Sequence, residues 1–363
     1  MRIALIGDAE SPHLLKWARG LAIATDVDLR VASSRGFLPE FETLLPASHR
    51  LALGHRPVHA GGNVAALGSL TRLGSWLERI DADWVHAHYL TSHGTLAWLS
   101  KRLWRLRAGI VGSAWGSDIL VTPERSLLDR WLISRVLHAC ALTTSDSIHM
   151  AERMRELGAA EVMTFPLGLE AMPPEPGPKD PWLFYANRGL EPLYRPQRVL
   201  AAFATVARAH PEARLVVANH GTLQARLPGD AVALGLTVGS IDAGQQVQFA
   251  GRLDEPSQAH WYARSRWYLS LPESDSVSVS VLEAMACGCI PLLSDLPANR
   301  ELVRDGRNGL ILSGAALSLE ALHRVQSQAE RIAEENRAWV AERGMFAPAV
   351  ARFLERLRAL SGA

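Results

Sequence analysis

Two carboxylates, Asp275 and Glu283, stand eight positions apart around a Ser/Val run, and Glu283 opens the segment Glu-Ala-Met-Ala-Cys-Gly. A helix that begins near Val279 aims its free N–H groups and the positive end of its dipole into the preceding loop, a ready site for phosphate. Glu283 then lies about one turn inside that helix, on the side facing the same ligand. Carboxylates accept hydrogen bonds from hydroxyls. An anionic head at the amides with carboxylates for hydroxyls suits a nucleotide-diphosphate sugar.

Such a site needs βα units to hold it. Short apolar runs alternate with longer helical patterns along the chain, which argues for parallel sheets. Strands are expected at Ile3–Ile6, Leu29–Ser33, Trp84–His88, Gly109–Ser113 and Leu142–Thr144, with helices at His13–Ile23, Leu67–Arg79, Gly94–Arg105, Leu127–Leu137 and Ser147–Leu157. The proline-rich run 173–181 cannot continue a helix or a central strand, and the βα pattern restarts directly after it. It reads as a linker over 171–181 between a first domain, 1–170, and a second, 182–340. Strands in the second half are expected at Trp182–Ala186, Arg214–Ala218, Val247–Ala250, Trp267–Leu271, Ile290–Leu293 and Gly309–Leu312; helices fall at Pro196–Ala209, Ser257–Arg264, Val279–Ala286 and Leu317–Val340. The expected fold is α/β, two doubly wound domains facing across a cleft, with ligand at the C-terminal ends of the strands.

At 363 residues, 48% hydrophobic and 21% charged, the chain reads as a soluble globular protein with room for two cores. A net charge of +1 gives no reason to expect nucleic acid. Cys140, Cys287 and Cys289 form neither a disulfide framework nor a zinc set, which points to a reducing cytoplasm. The opening MRIALIGDAE suits a first buried strand and not a signal peptide, and no apolar stretch reaches the length of a membrane span.

The segment Pro272–Leu312 resembles the donor-binding signature of the retaining glycosyltransferases of family 4, which have the GT-B fold. In that family an acidic-x7-Glu motif leads into E-A-M-A-x-G-x-P, a small strand, and a Glu before a D-G-x-N-G turn. Glu283 to Gly288, Pro291, Glu301 and Asp305-Gly306-Arg307-Asn308-Gly309 fill those places, with Asp275 at the first acidic position, where Glu is commonest. The resemblance covers nearly the whole chain. It implies two Rossmann-like domains and a last helix, near Pro348–Leu360 within 341–363, that crosses back to the first domain.

It also implies roles. Glu283 would accept from the ribose hydroxyls and Asp275 would lie near the donor hexose, with the backbone of Ser278, Val279 and Ser280 on phosphate and sugar. Arg188 takes the place of an Arg that reaches the diphosphate. A Lys usual five residues later is Leu193 here, and Arg195 is the nearby substitute. Gly251 and Arg252 end a strand in the loop that would hold the base. The run from Val111 to Asp118 resembles the H-G-x-D turn beside the reacting sugar: Trp115 stands where the His does, as aromatic wall or core, and Asp118 keeps its place.

Other features read more plainly. His86 and His88 share one strand face, without acidic or cysteine partners at useful spacing, and read as core or cleft histidines. The first βα turn, Asp8 to His13, lacks G-x-G-x-x-G, so a nicotinamide or flavin enzyme is not supported. Asp81-Ala82-Asp83 precedes its strand and reads as a solvated turn.

What the resemblance implies is transfer of a hexosyl group from a nucleotide-diphosphate sugar to a glycan or lipid-linked acceptor, with retention and with no metal or other cofactor. The setting would be polysaccharide or lipopolysaccharide synthesis. Along 96–107, Trp98, Leu99, Leu103 and Trp104 beside Lys101, Arg102, Arg105 and Arg107 suit either peripheral contact with an anionic membrane, on the inner face of the cytoplasmic membrane, or an ordinary surface helix. The alternatives are a nucleotide-sugar epimerase of the same fold, whose acids and bases find no match here, and a non-catalytic donor-binding subunit, for which Trp115 and Leu193 speak.

Overall fold

The apolar runs of the first half become seven parallel strands, β1 (Arg2–Gly7), β2 (Asp28–Ser33), β3 (Arg50–Ala52), β4 (Trp84–His88), β5 (Gly109–Ser113), β6 (Leu142–Ser145) and β7 (Val162–Thr164), in the order β3-β2-β1-β4-β5-β6-β7. The six strands of the second half are β8 (Asp180–Ala186), β9 (Arg214–Ala218), β10 (Val247–Gly251), β11 (Ser265–Ser270), β12 (Ile290–Ser294) and β13 (Leu310–Leu312), ordered β10-β9-β8-β11-β12-β13. Central strands such as β4, β11 and β12 are buried along their whole length, as sheets covered by helices on both faces require. This is a computed structural model, and it describes residues 1–55, 67–314 and 317–362.

The chain divides into two units, Met1–Glu170 with Phe346–Ala363, and Ala171–Met345. The helix Phe346–Ser361 is thus part of the first unit. It buries Phe346, Val350, Phe353 and Leu357 in a core shared with β1, β2 and the helix Pro12–Ala22. Trp17 on that helix lies edge-on to Phe346 and Phe353, with ring centroids 5.2 and 5.1 Å away. Arg356 forks onto Glu161 with two bonds of 2.7 Å, and Arg358 pairs with Asp26.

Several expectations need correction. The run 171–181, expected as a linker, lies within the second unit: Arg337 donates to the Pro173 carbonyl at 2.7 Å and pairs with Glu175, and β8 begins at Asp180, two residues earlier than expected. Pro181 is tolerated because it sits at the start of its strand. The helix expected over Leu317–Val340 is two, Leu319–Gln326 and Ala329–Arg343, the first capped by Ser318 onto the Ala321 amide. The edge strands β3 and β7 were not expected; three residues each are too few to display a period.

The Asp-Gly-Arg-Asn-Gly turn is a framework piece. Asn308 accepts from the Arg304 amide at 2.7 Å and donates to the Leu302 carbonyl and to Asn336, tying the turn to the helix Ala329–Arg343. A Cβ on Gly309 would stand 2.6 Å from the Pro291 carbonyl oxygen, so only glycine fits beside β12.

Candidate functional site

In the second sheet, chain order runs outward one way from β8 and the other way from β11, and these two strands are neighbours. A crevice opens beyond the carboxyl ends of strands at such a switch point. The loop after β8 brings Asn187 and Arg188 there; the loop after β11 brings Asp275 and Ser278.

Arg188 is the hub. Its guanidinium pairs with Asp275 at 2.6 Å, donates to Ser278 Oγ and, at 3.3 Å, to Ser280 Oγ, and lies over the Tyr194 ring, 4.6 Å from the centroid. Burial works against the charge of Arg188, but Asp275 and the surrounding tyrosines outweigh it and hold the pKa above its ordinary value. Burial pushes the Asp275 carboxyl upward while Arg188 pulls against it. Ser278 is the N-cap of the helix Val279–Ala286, yet its hydroxyl turns to Arg188 and makes no cap bond. The first turn of that helix therefore adjoins the guanidinium, and both favour an anion.

Glu283 lies on the same helix and accepts from the Tyr262 hydroxyl at 2.9 Å. Behind it stands a polar network that motif reading missed. Tyr262 accepts from Asn187 Nδ2 at 2.8 Å, and the Tyr268 hydroxyl donates to Asn187 Oδ1 at 2.7 Å. Asn187 carried one faint signal, its place between a strand end and Arg188. Tyr262 and Tyr268 carried none.

Other expected residues are placed differently. Arg195 lies in an ion pair of 2.7 Å with Glu273, both side chains largely exposed, and adopts a left-handed backbone at φ 46°. Arg252 is exposed at the end of β10, after Gly251 with φ 67°.

In the first unit the chain order reverses between the parallel neighbours β1 and β4, and β5 follows beside β4. Asp118 is fully buried there and accepts from the Leu90 amide at 2.8 Å and the Trp115 amide at 3.0 Å, bracing the loops after β4 and β5. Gly116, at φ 104°, makes the turn that lets it reach back. Burial raises the Asp118 carboxyl to about 6. Trp115 Nε1 donates to His88 Nδ1 at 3.1 Å, so a neutral His88 carries its proton on Nε2. His86 bonds Ser113 Oγ at 2.7 Å. Both imidazoles are buried; His86 is pushed down to about 3 and His88 well below its ordinary value. They are core histidines.

Along the helix Thr95–Trp104, Trp98, Lys101 and Trp104 are half-buried. Trp104 packs against Gly74, where a Cβ would meet its ring at 2.4 Å, and Lys101 folds back to the Ala108 carbonyl at 2.6 Å. Among the exposed large apolar side chains are Leu103 on this helix and Leu127, Leu128 and Trp131 on the neighbouring helix Leu127–Ala139. Trp131 meets the edge of Trp98, with centroids 6.5 Å apart.

Two parallel-sheet α/β units, the second with an anion-ready switch point, define the class as GT-B. The family described as "Glycosyl transferase 4-like" matches residues 2–150, and "Glycosyl transferases group 1" matches 170–341. The chain belongs to these group 1 glycosyltransferases. It is similar to D-inositol 3-phosphate glycosyltransferase 2 of Catenulispora acidiphila, 23% identical over 391 residues that cover 96% of this chain and 91% of that protein. Among solved structures it resembles HepE of Anabaena in complex with UDP (TM-score 0.75, 15% identity, 99% of this chain and 100% of that one). It also resembles sucrose-phosphate synthase of Thermosynechococcus elongatus (TM-score 0.77, 14% identity, 99% of each chain).

Proposed function

We propose that this glycosyltransferase moves a hexosyl group from a nucleotide-diphosphate sugar to a glycan or lipid-linked acceptor, with retention and without an obligatory metal, in the synthesis of cell-surface polysaccharide or lipopolysaccharide. The observation that carries the donor reading is Arg188, fixed by Asp275, Ser278 and Ser280 at the N-terminus of the helix Val279–Ala286. A diphosphate leaving group gains charge in the transition state, and a prearranged guanidinium with helix amides stabilises it as a metal ion would. Related folds solved with UDP and UDP-glucose support a uridine donor. In this reading Asp118 is a positioning residue, since both its oxygens hold backbone amides.

A lipid-linked acceptor is supported by the exposed apolar side chains Leu127, Leu128, Trp131 and Leu103, with Arg102, Arg105, Arg130 and Arg135 exposed on or beside the same two helices. Apolar side chains among basic ones suit the interface of an anionic membrane. Among the described residues no helix is long and apolar enough to cross a membrane, so the contact would be peripheral.

The test is a mass-spectrometric screen of the purified protein against nucleotide sugars, with glycan and lipid acceptors, with and without a chelator. Acceptor-dependent transfer that survives chelation is expected. Turnover of donor alone to an epimer, or donor binding without turnover, would replace the proposal with one of its two alternatives.

A further inference from the structure

Each proton of the network behind Glu283 can be assigned. Gln258 donates through Nε2 to the Leu253 carbonyl at 3.4 Å, which turns its Oε1 toward Asn187. Asn187 Nδ2 then gives one hydrogen to Gln258 Oε1 and the other to the Tyr262 oxygen, both at 2.8 Å. Its Oδ1 is left to accept from Tyr268 at 2.7 Å. Tyr262 already accepts from Asn187, so its own proton points to Glu283 Oε2 at 2.9 Å, closer than the Ser280 carbonyl at 3.3 Å. Donors and acceptors thus run one way, Tyr268 to Asn187 to Tyr262 to Glu283, and such chains polarise each bond in turn.

The relay is rigid as well as directed. Tyr262 is 3% exposed and Tyr268 fully buried, and the Tyr185 ring stands edge-on to Tyr262 at 5.1 Å. Four elements meet in it: β11, the end of β8, the helix Glu255–Arg264 and the helix Val279–Ala286. A carboxylate accepts up to about four hydrogen bonds, so a bond from Tyr262 is compatible with a ligand diol on the same group.

We propose that Tyr262, oriented by Asn187, is a positioning residue for the donor's ribose: its bond to Glu283 holds the carboxylate in the one orientation that accepts the vicinal 2′ and 3′ hydroxyls. This rests on the donor reading above. It separates two tasks within the site, the diphosphate held by Arg188 and the ribose read through Glu283.

The experiment compares UDP and GDP with their 2′,3′-dideoxy counterparts by calorimetry on wild type, Tyr262→Phe, Asn187→Ala and Glu283→Ala. The phenylalanine variant keeps the buried ring and loses the hydroxyl, and with it the proton given to Glu283 and the acceptor for Asn187 Nδ2. It should weaken the ribonucleotide about tenfold and leave the dideoxy nucleotide unchanged. Asn187→Ala should move the same preference in the same direction, and it carries the test if Tyr262→Phe disturbs packing. An intact ribose preference in both variants, or equal loss of both ligands, would overturn the proposal. If Glu283→Ala also keeps the preference, or neither nucleotide binds the wild type, the donor reading itself fails. Collapse of the preference in Glu283→Ala alone removes only Tyr262.

Discussion

Glu283 and Arg188 act on different parts of one ligand, and their variants should fail differently. Removing charge-assisted bonds to two ribose hydroxyls costs on the order of 2–3 kcal/mol. Glu283→Ala should therefore weaken UDP binding about a hundredfold in calorimetry while the fold persists by circular dichroism. Arg188→Ala should lower kcat about 10²- to 10³-fold, with a smaller change in KM, since its charge counts most where the diphosphate leaves; steady-state kinetics with the donor found in the screen check this. Asp118 makes a pH-dependent contribution. Its carboxyl is raised to about 6 in the folded chain, so this stability is fully present below about pH 4, the unfolded value, and is lost as pH rises through about 6. The unfolding free energy of wild type minus that of Asp118→Asn should fall by roughly 2–3 kcal/mol across that window in urea titrations. Asp275, Glu283 and Arg188 could be read from the sequence because each belongs to a local string whose spacing survives folding. Tyr262 and Asn187 meet only because a helix and a strand end 75 positions apart converge, and no local pattern records that.

At the scale of elements, the strands and most helices follow from apolar periodicity, and the misses have physical causes. The break between Leu319–Gln326 and Ala329–Arg343 is hidden because buried residues continue on either side, Leu322 and Val325 before it, Ala329 and Ile332 after it. The tether on the proline run is not legible because the arginine that holds its carbonyl lies 164 positions away. Composition alone also does not tell which side chains are exposed. Trp98 and Trp104 look like interfacial anchors in sequence, yet the exposed groups are Leu127 at 87%, Leu128 at 70% and Trp131 at 50%. In flotation with anionic and neutral liposomes, wild type should bind the anionic ones and be released by high salt. The triple change Leu127→Ser, Leu128→Ser, Trp131→Ser should reduce binding more than tenfold, as each buried apolar side chain contributes about 1.5–3 kcal/mol. Equal flotation of the two proteins would remove the membrane from the proposed function.

At the scale of the whole molecule, the first unit is discontinuous. The helix Phe346–Ser361 fills its core with Phe346, Ala349, Val350, Phe353, Leu354 and Leu357. At about 1.5–3 kcal/mol for each large side chain, its removal costs as much as the usual margin of stability. A chain ending at residue 345 should keep a protease-resistant second unit and lose the first, as limited proteolysis with mass spectrometry would show. The same discontinuity orders events during synthesis. The Phe346 amide bonds the Leu169 carbonyl at 2.8 Å, so the first unit's chain leaves at one point and resumes beside it. Everything from Ala171 to Met345 is a guest inserted at that point. On the ribosome the guest has its complete sequence before its host does, and folds as a unit while the host still waits for its last helix. Until then the host exposes the groove that Phe346 and Phe353 will fill. The half of the protein that starts first is therefore the half that finishes last, and the more exposed of the two to aggregation and to chaperones.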